Sequence, residues 1–141
     1  MKKLLSFLTA IAIVLSSSVF AYAEEYDSYV PDEPIIEEYS YTNSISSGLA
    51  ISNKIAYCSS SVVGYYGTTT KIIVTQTLQK KAGASWTGTS TWTKTFNSWY
   101  ANYDNTKSSL IGGTYRLKTV AKVYKGSNYE TITVYSYERT C

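Results

Sequence analysis

The chain has 141 residues, of which 44% are hydrophobic and none is histidine. Its formal net charge of +3 comes from 13 Lys/Arg against 10 Asp/Glu. The lack of histidine excludes Ser-His-Asp and Cys-His catalysis and removes most kinds of zinc site. Neither a Gly-rich phosphate loop nor an EF-hand pattern is present, so the sequence predicts no cofactor and no metal.

Residues 1–23 have the features of a signal peptide. Lys2 and Lys3 precede an apolar run that extends from residue 4 to residue 15, and Ala21-Tyr22-Ala23 gives a small-x-small cleavage pattern. The run is short for a bilayer span of roughly 20 residues. The pattern therefore predicts a secreted, extracellular protein without stable membrane insertion after cleavage; a retained anchor is the alternative.

Residues 24–44 are predicted to be an acidic, tyrosine-rich linker. Seven of the ten acidic residues lie in this stretch, together with both prolines and no Lys or Arg. Such a composition is typical of a disordered, solvated spacer. An alternative is that the segment docks on the rest of the chain, because from Tyr41 onward eleven Lys/Arg oppose three Asp/Glu, a net charge of +8.

Residues 45–141 are predicted to form an all-β domain, an Ig-like antiparallel β-sandwich. Thr, Ser, Tyr, Val and Ile dominate, and turn residues recur at intervals of about 10–15 residues. This spacing indicates about seven strands. The predicted strands are Gly48–Ser52, Lys54–Val63, Thr70–Lys81, Ser85–Phe96, Tyr100–Ser108, Thr114–Lys125 and Tyr129–Arg139.

The two cysteines, Cys58 and Cys141, are predicted to form a disulfide. An even count in an oxidising compartment favours a bridge. This bridge would close a loop of 84 residues. In the chain-entropy model it would stabilise the folded state by up to roughly 4–5 kcal/mol. The alternative is a buried free Cys58 and a frayed terminal Cys141.

Two strands carry a clear period of two. In the fourth, Trp86 and Trp92 share one parity and are predicted to be structural, packing in the core or at a sheet edge. In the sixth, Tyr115 belongs to the inward set and Arg116 to the outward set. Tyr115, near the start of this strand, also fits a tyrosine corner, in which the phenol bonds back to the preceding loop.

A resemblance supports this fold. It rests on Leu78-Gln79-Lys80 at the end of one strand, Trp86 on the next, Gly113-Thr114-Tyr115-Arg116 before a Val-rich strand, and Glu130 in the last hairpin. These positions, within about residues 46–140, resemble small exported Ig-like or fibronectin-like β-sandwich proteins of Gram-positive bacteria. The resemblance implies a sandwich but no activity and no functional residues.

If the third, sixth and seventh strands share a sheet, their outward side chains form a candidate binding face. Tyrosine rings would lie among cations there, which suits an anionic cell-wall polysaccharide or an acidic protein. The alternative is an ordinary solvated sheet surface, and a shift of the last strand by one residue would bury its tyrosines. The candidate residues are Arg116, Lys118, Lys122, Tyr124, Tyr129, Tyr135 and Tyr137.

The leading functional hypothesis is a secreted, non-catalytic binding or adhesion module. Beyond the linker the only carboxylates are Asp104, Glu130 and Glu138. The last two are about 26 Å apart in an extended strand, too far for a glycosidase pair, so no enzyme is predicted. The alternatives are a bacteriocin-like antagonist with an acidic pro-segment and a structural subunit that self-assembles through its sheet edges. Nucleic acid is a poor fit for an exported protein.

Overall fold

A computed structural model describes residues 39–141. The predicted signal peptide, residues 1–23, and residues 24–38 of the predicted linker lie outside these described residues. Within residues 39–141 no helix is long and apolar enough to cross a membrane. The strands are β1 (Thr42–Ser52), β2 (Ile55–Gly64), β3 (Lys71–Ala82), β4 (Ser85–Phe96), β5 (Tyr100–Lys107), β6 (Thr114–Lys125), β7 (Asn128–Tyr135) and β8 (Arg139–Thr140).

The strands form two antiparallel sheets. The small sheet has the order β1-β2-β5, and the large sheet has the order β4-β3-β6-β7, with the two-residue β8 also paired to β6. This confirms the predicted all-β sandwich of about seven main strands. It also places β3, β6 and β7 in one sheet, which is the condition on which the candidate binding face depends.

The first strand is longer than the sequence indicates. It begins at Thr42 rather than Gly48 and pairs with β2 from Thr42 opposite Gly64 to Ser52 opposite Ile55. The first half of β1 lacks alternating hydrophobic residues, so its extent is set by backbone pairing that composition does not show. The last three residues of the predicted linker therefore belong to the sandwich, and Thr42 is buried.

The last strand is interrupted, although the sequence predicts a continuous strand to Arg139. Ser136 is buried, and its hydroxyl accepts a hydrogen bond from the Leu117 amide at 2.8 Å and donates to the Tyr137 carbonyl at 2.9 Å. Because a side chain takes the place of a backbone partner, the ladder breaks at this point. Pairing resumes only at β8.

The core consists of two hydrophobic clusters separated along the sandwich. One contains Leu49, Ala56, Cys58, Leu78, Leu110, Tyr115 and Leu117. The other contains Val62, Ile72, Val74, Ala101, Ala121 and Val123. Their inward side chains alternate with outward ones along β3 and β6, as expected for strands buried on one face.

A buried polar network also joins the two sheets. Gln76 on β3 is fully buried; its amide nitrogen donates to Ser60 Oγ at 2.8 Å, and its amide oxygen accepts from Asn105 Nδ2 at 2.8 Å. The hydroxyl of Ser60 lies 2.7 Å from that of Thr119, which donates to Ser47 Oγ at 2.8 Å. Every member thus has a partner, which removes the cost of burying these groups. The buried polar network comprises Ser47, Ser60, Gln76, Asn105 and Thr119.

Tyr115 anchors the loop before β6. Its side chain is 2% exposed, and its hydroxyl donates a hydrogen bond of 2.6 Å to the Ile111 carbonyl. This is the bond that a tyrosine corner predicts. Burial raises the pKa of Tyr115, so the phenol keeps its proton and remains a donor.

Candidate binding face on the large sheet

The outward residues of the large sheet lie where the period of two places them. Arg116 and Lys118 are half-buried and Lys122 is exposed, whereas Leu117 between them is fully buried. On β7 the inward residue is Ile132, at 3% exposure. The register on which the candidate face depends is therefore the predicted one. We call this outer surface of the large sheet the basic face.

Strand pairing brings cations and tyrosines side by side across the basic face. Lys118 lies opposite Thr77 on β3 and opposite Tyr135 on β7. Farther along, Tyr124 lies opposite Lys71 and Tyr129. Neighbouring strands are about 4.7–4.9 Å apart, so side chains in one row are in reach of one another.

Arg116 has aromatic rings on both sides. Its Cζ atom lies 4.3 Å from the centre of the Trp86 ring and 4.1 Å from that of Tyr135. Its Nε atom donates to Gln79 Oε1 at 2.8 Å. A guanidinium held in this way keeps its two terminal amino groups as donors for a carboxylate or phosphate. Trp86, Arg116 and Tyr135 form what we call the arginine stack.

Trp86 is not a core residue but lies half-buried on β4, the edge strand of the large sheet, so of its two predicted positions the core is wrong. On β3, Leu78 pairs with Ser90, but the next residue, Gln79, pairs with Gly88, so β4 has one extra residue at this point. This β-bulge interrupts the alternation of inward and outward side chains. Residues before and after the extra residue therefore point to opposite faces of the sheet even when their spacing in sequence is even.

Trp86 therefore points outward while Trp92 and Phe96 point inward. Trp92 packs against the first core cluster and Phe96 against the second. The sequence does contain a signal for this bulge, since a glycine inside a strand often marks one and Gly88 lies at the shift. The Thr89 hydroxyl stabilises the bulge by donating to the Leu78 carbonyl at 3.0 Å.

A second group of rings and cations lies at the other end of the basic face. The Tyr124 and Tyr129 rings are 5.0 Å apart, centre to centre. Lys71 Nζ lies 4.1 Å from the Tyr124 ring centre, and Lys122 Nζ lies 5.3 Å from that of Tyr129. Of the predicted binding residues, only Tyr137 lies off the sheet, 83% exposed beyond the end of β7.

The carboxylates of residues 39–141 are dispersed. Glu130 accepts hydrogen bonds from the Ser40 and Tyr41 amides at 3.0 and 2.8 Å, and so holds the chain just before β1. Glu138 lies 3.8 Å from Lys81, and Asp104 is exposed on the small sheet. No three His, Cys, Asp or Glu side chains in this part of the chain are grouped to hold a metal ion.

The predicted disulfide is not present in the structure, where Cys58 and Cys141 are both free thiols. Cys58 points from β2 into the first core cluster, and burial raises the pKa of its thiol to about 11. Cys141 packs against the same cluster, and its amide donates to the Gly113 carbonyl at 2.8 Å. The two residues thus share one region of the core without a bond between them.

Comparison with known proteins does not assign a family. No protein-family model matches this chain, and no curated protein matches it. The geometry of the basic face is therefore the basis for a functional proposal.

Proposed function

We propose that this protein is a secreted, non-catalytic binding or adhesion module that holds an anionic cell-wall polysaccharide or an acidic protein on its basic face. The observation that carries the proposal is the arginine stack. Its guanidinium is fixed by two rings and Gln79 before any ligand arrives. A fixed donor loses less conformational entropy on binding than a free side chain does.

The lysines of the basic face extend this site along the sheet. Lys118 and Lys122 are outward on β6, and Lys71 of β3 lies beside Tyr124 of β6. Spaced cations of this kind attract a polymer with repeated negative charges, and the attraction weakens as salt screens it. The tyrosine rings between them offer flat apolar area for stacking.

The strand order supports the further proposal that the sandwich is Ig-like or fibronectin-like. The orders β1-β2-β5 and β4-β3-β6-β7 pair the first, second and fifth strands on one side and the remaining main strands on the other. The tyrosine corner before β6 is a second feature found in such sandwiches.

The double variant Lys118→Gln/Lys122→Gln tests the binding proposal. We expect its stability to stay within about 1 kcal/mol of the wild type, because both side chains face outward on β6. Sedimentation with isolated cell walls should show reduced association, and wild-type association should decrease as ionic strength rises. Tyr135→Ala should also weaken association, because it removes one ring of the arginine stack.

A matched control is Lys54→Gln/Lys107→Gln. It removes the same charge, but Lys54 lies in the turn between β1 and β2 and Lys107 ends β5, so neither belongs to the large sheet. We expect this control to associate with cell walls as the wild type does, apart from the general effect of losing two positive charges, which both double variants share. Equal association of both double variants and the wild type, at low and high salt, would refute the assignment of binding to the basic face.

We also propose that Cys58 and Cys141 form a disulfide in the secreted protein, by exchange with an oxidised thiol–disulfide partner of the export compartment that accepts their two electrons and two protons and is itself reduced to a dithiol. Their packing against one cluster supports this. The mass of the unreduced protein should then be lower than that of the reduced protein by two hydrogens. Alkylation of Cys141 in the native protein, with Cys58 reacting only after unfolding, would show instead that the thiols remain free.

A further inference from the structure

The outer surface of the small sheet contains an open depression of about 380 Å³. Its outward lining comes from all three strands, and its volume lies at the lower end of the range typical of ligand pockets. We call it the small-sheet dish. Its outward lining residues are Gly48 and Ala50 of β1, Tyr57 and Ser59 of β2, and Asp104 and Thr106 of β5.

The dish exists because its floor lacks side-chain bulk. Ser59 lies between Gly48 and Asp104 in one row of the sheet. A Cβ atom added at Gly48 would lie 2.7 Å from Ser59 Oγ, so a larger residue there would displace the Ser59 hydroxyl from its place in the floor. In the next row Tyr57 lies between Ala50 and Thr106, and it is 47% exposed, so its ring forms an accessible wall.

The chemistry of the dish differs from that of the basic face. Asp104 is the only charged residue among those that line it, so the dish is negative in a domain whose net charge from Tyr41 onward is +8. Ser59, Thr106 and Tyr57 supply hydroxyls that can both donate and accept. The amide of Asn105 is turned inward to Gln76 and is not offered to a ligand.

We infer that the small-sheet dish binds a neutral saccharide of one or two rings. The apolar C–H face of a pyranose would pack on Tyr57, its hydroxyls would donate to the Asp104 carboxylate, and Ser59 and Thr106 would complete the hydrogen bonds. An ammonium ion would use the ring and the carboxylate but not the hydroxyls. An anionic sugar would be repelled by Asp104.

This inference goes beyond the proposed function, because it concerns the opposite face and a different ligand charge. With both sites, one domain would hold an anionic polymer on the large sheet and a neutral glycan on the small sheet. Two engaged sites increase avidity without any new contact at either site.

The test is a titration of the full secreted chain, labelled with ¹⁵N, with cellobiose, maltose and N,N′-diacetylchitobiose at millimolar concentrations. We expect at least one to shift amide resonances within residues 48–50, 57–59 and 104–106. Asp104→Asn removes the charged acceptor, and Ala50→Phe fills the dish. Each should weaken binding by about tenfold or more, the scale of one hydrogen bond to a charged group.

Tyr100→Ala is the matched control. Tyr100 is 51% exposed on the same side of the small sheet but pairs with Val63, away from the dish. Its affinity should equal that of the wild type. Tetramethylammonium is titrated in parallel as the cationic alternative. The inference is wrong if none of the three saccharides shifts the dish amides, if the shifts persist in Ala50→Phe, or if tetramethylammonium alone produces them. None of these outcomes bears on cell-wall binding through Lys118 and Lys122.

Discussion

Gln76→Ala is expected to lower the free energy of unfolding by about 2–4 kcal/mol. Gln76 is fully buried and bonds to three groups of the small sheet: Ser60 Oγ, Asn105 Nδ2 and the Tyr103 carbonyl, each at 2.8 Å. Truncation would leave a cavity and deprive the Tyr103 carbonyl and the Asn105 amide of this partner. Both effects destabilise, and domains of this size are only about 5–15 kcal/mol stable.

Urea unfolding measures this loss as a shift in the transition midpoint, provided that the slope is unchanged. Gln79→Ala is the matched control, because Gln79 lies on the same strand but faces outward and is only half-buried. Its cost should stay within about 1 kcal/mol. Similar losses for the two variants would mean that the buried polar network does not contribute to holding the sheets together.

Tyr115→Phe is expected to lower the free energy of unfolding by about 1–3 kcal/mol. The ring stays in place in the first core cluster, so the variant removes only the hydroxyl that donates to the Ile111 carbonyl at 2.6 Å. The loop before β6 would lose its link to the strand. Hydrogen exchange at the amides of residues 110–113 should accelerate along with the loss of stability.

Tyr129→Phe provides the comparison for this effect. The Tyr129 side chain is 53% exposed on β7, so water can satisfy its hydroxyl and the substitution should leave stability unchanged within about 0.5 kcal/mol. Equal stability of the Tyr115→Phe variant and the wild type would contradict the role assigned to the tyrosine corner.

The composition also limits what the basic face can do. Of the three carboxylates beyond the linker, Glu130 is engaged by two backbone amides, Glu138 lies 3.8 Å from Lys81, and Asp104 belongs to the opposite sheet. The basic face therefore presents mainly cations and aromatic rings, as the proposed binding of an anionic ligand requires. The same separation places the exposed carboxylate of β5 in the small-sheet dish, for which we infer a different ligand.

Local patterns in the sequence determined much of the fold. The alternation in β6 identifies its inward and outward sides, and the bounds of β4 and β6 agree with the predicted Ser85–Phe96 and Thr114–Lys125. Tyr115 was recognisable because a tyrosine corner has its tyrosine near the start of a strand, and the hydroxyl bonds to a backbone carbonyl only a few residues earlier in the chain. Signals of this kind depend on neighbours in the chain, which the sequence shows directly.

Only the tertiary structure decided the features that depend on pairing between distant segments. The bulge opposite Leu78 turns Trp86 outward to join the arginine stack, and strict alternation cannot reveal an extra residue. Gln76 is a polar residue whose burial is tolerable only because Ser60 and Asn105 reach it from the other sheet. Ser136 ends β7 by bonding to Leu117, 19 residues away. The sequence determined the inward and outward faces of β3 and β6, while pairing between strands decided the faces of β4 and which outward surfaces become candidate sites.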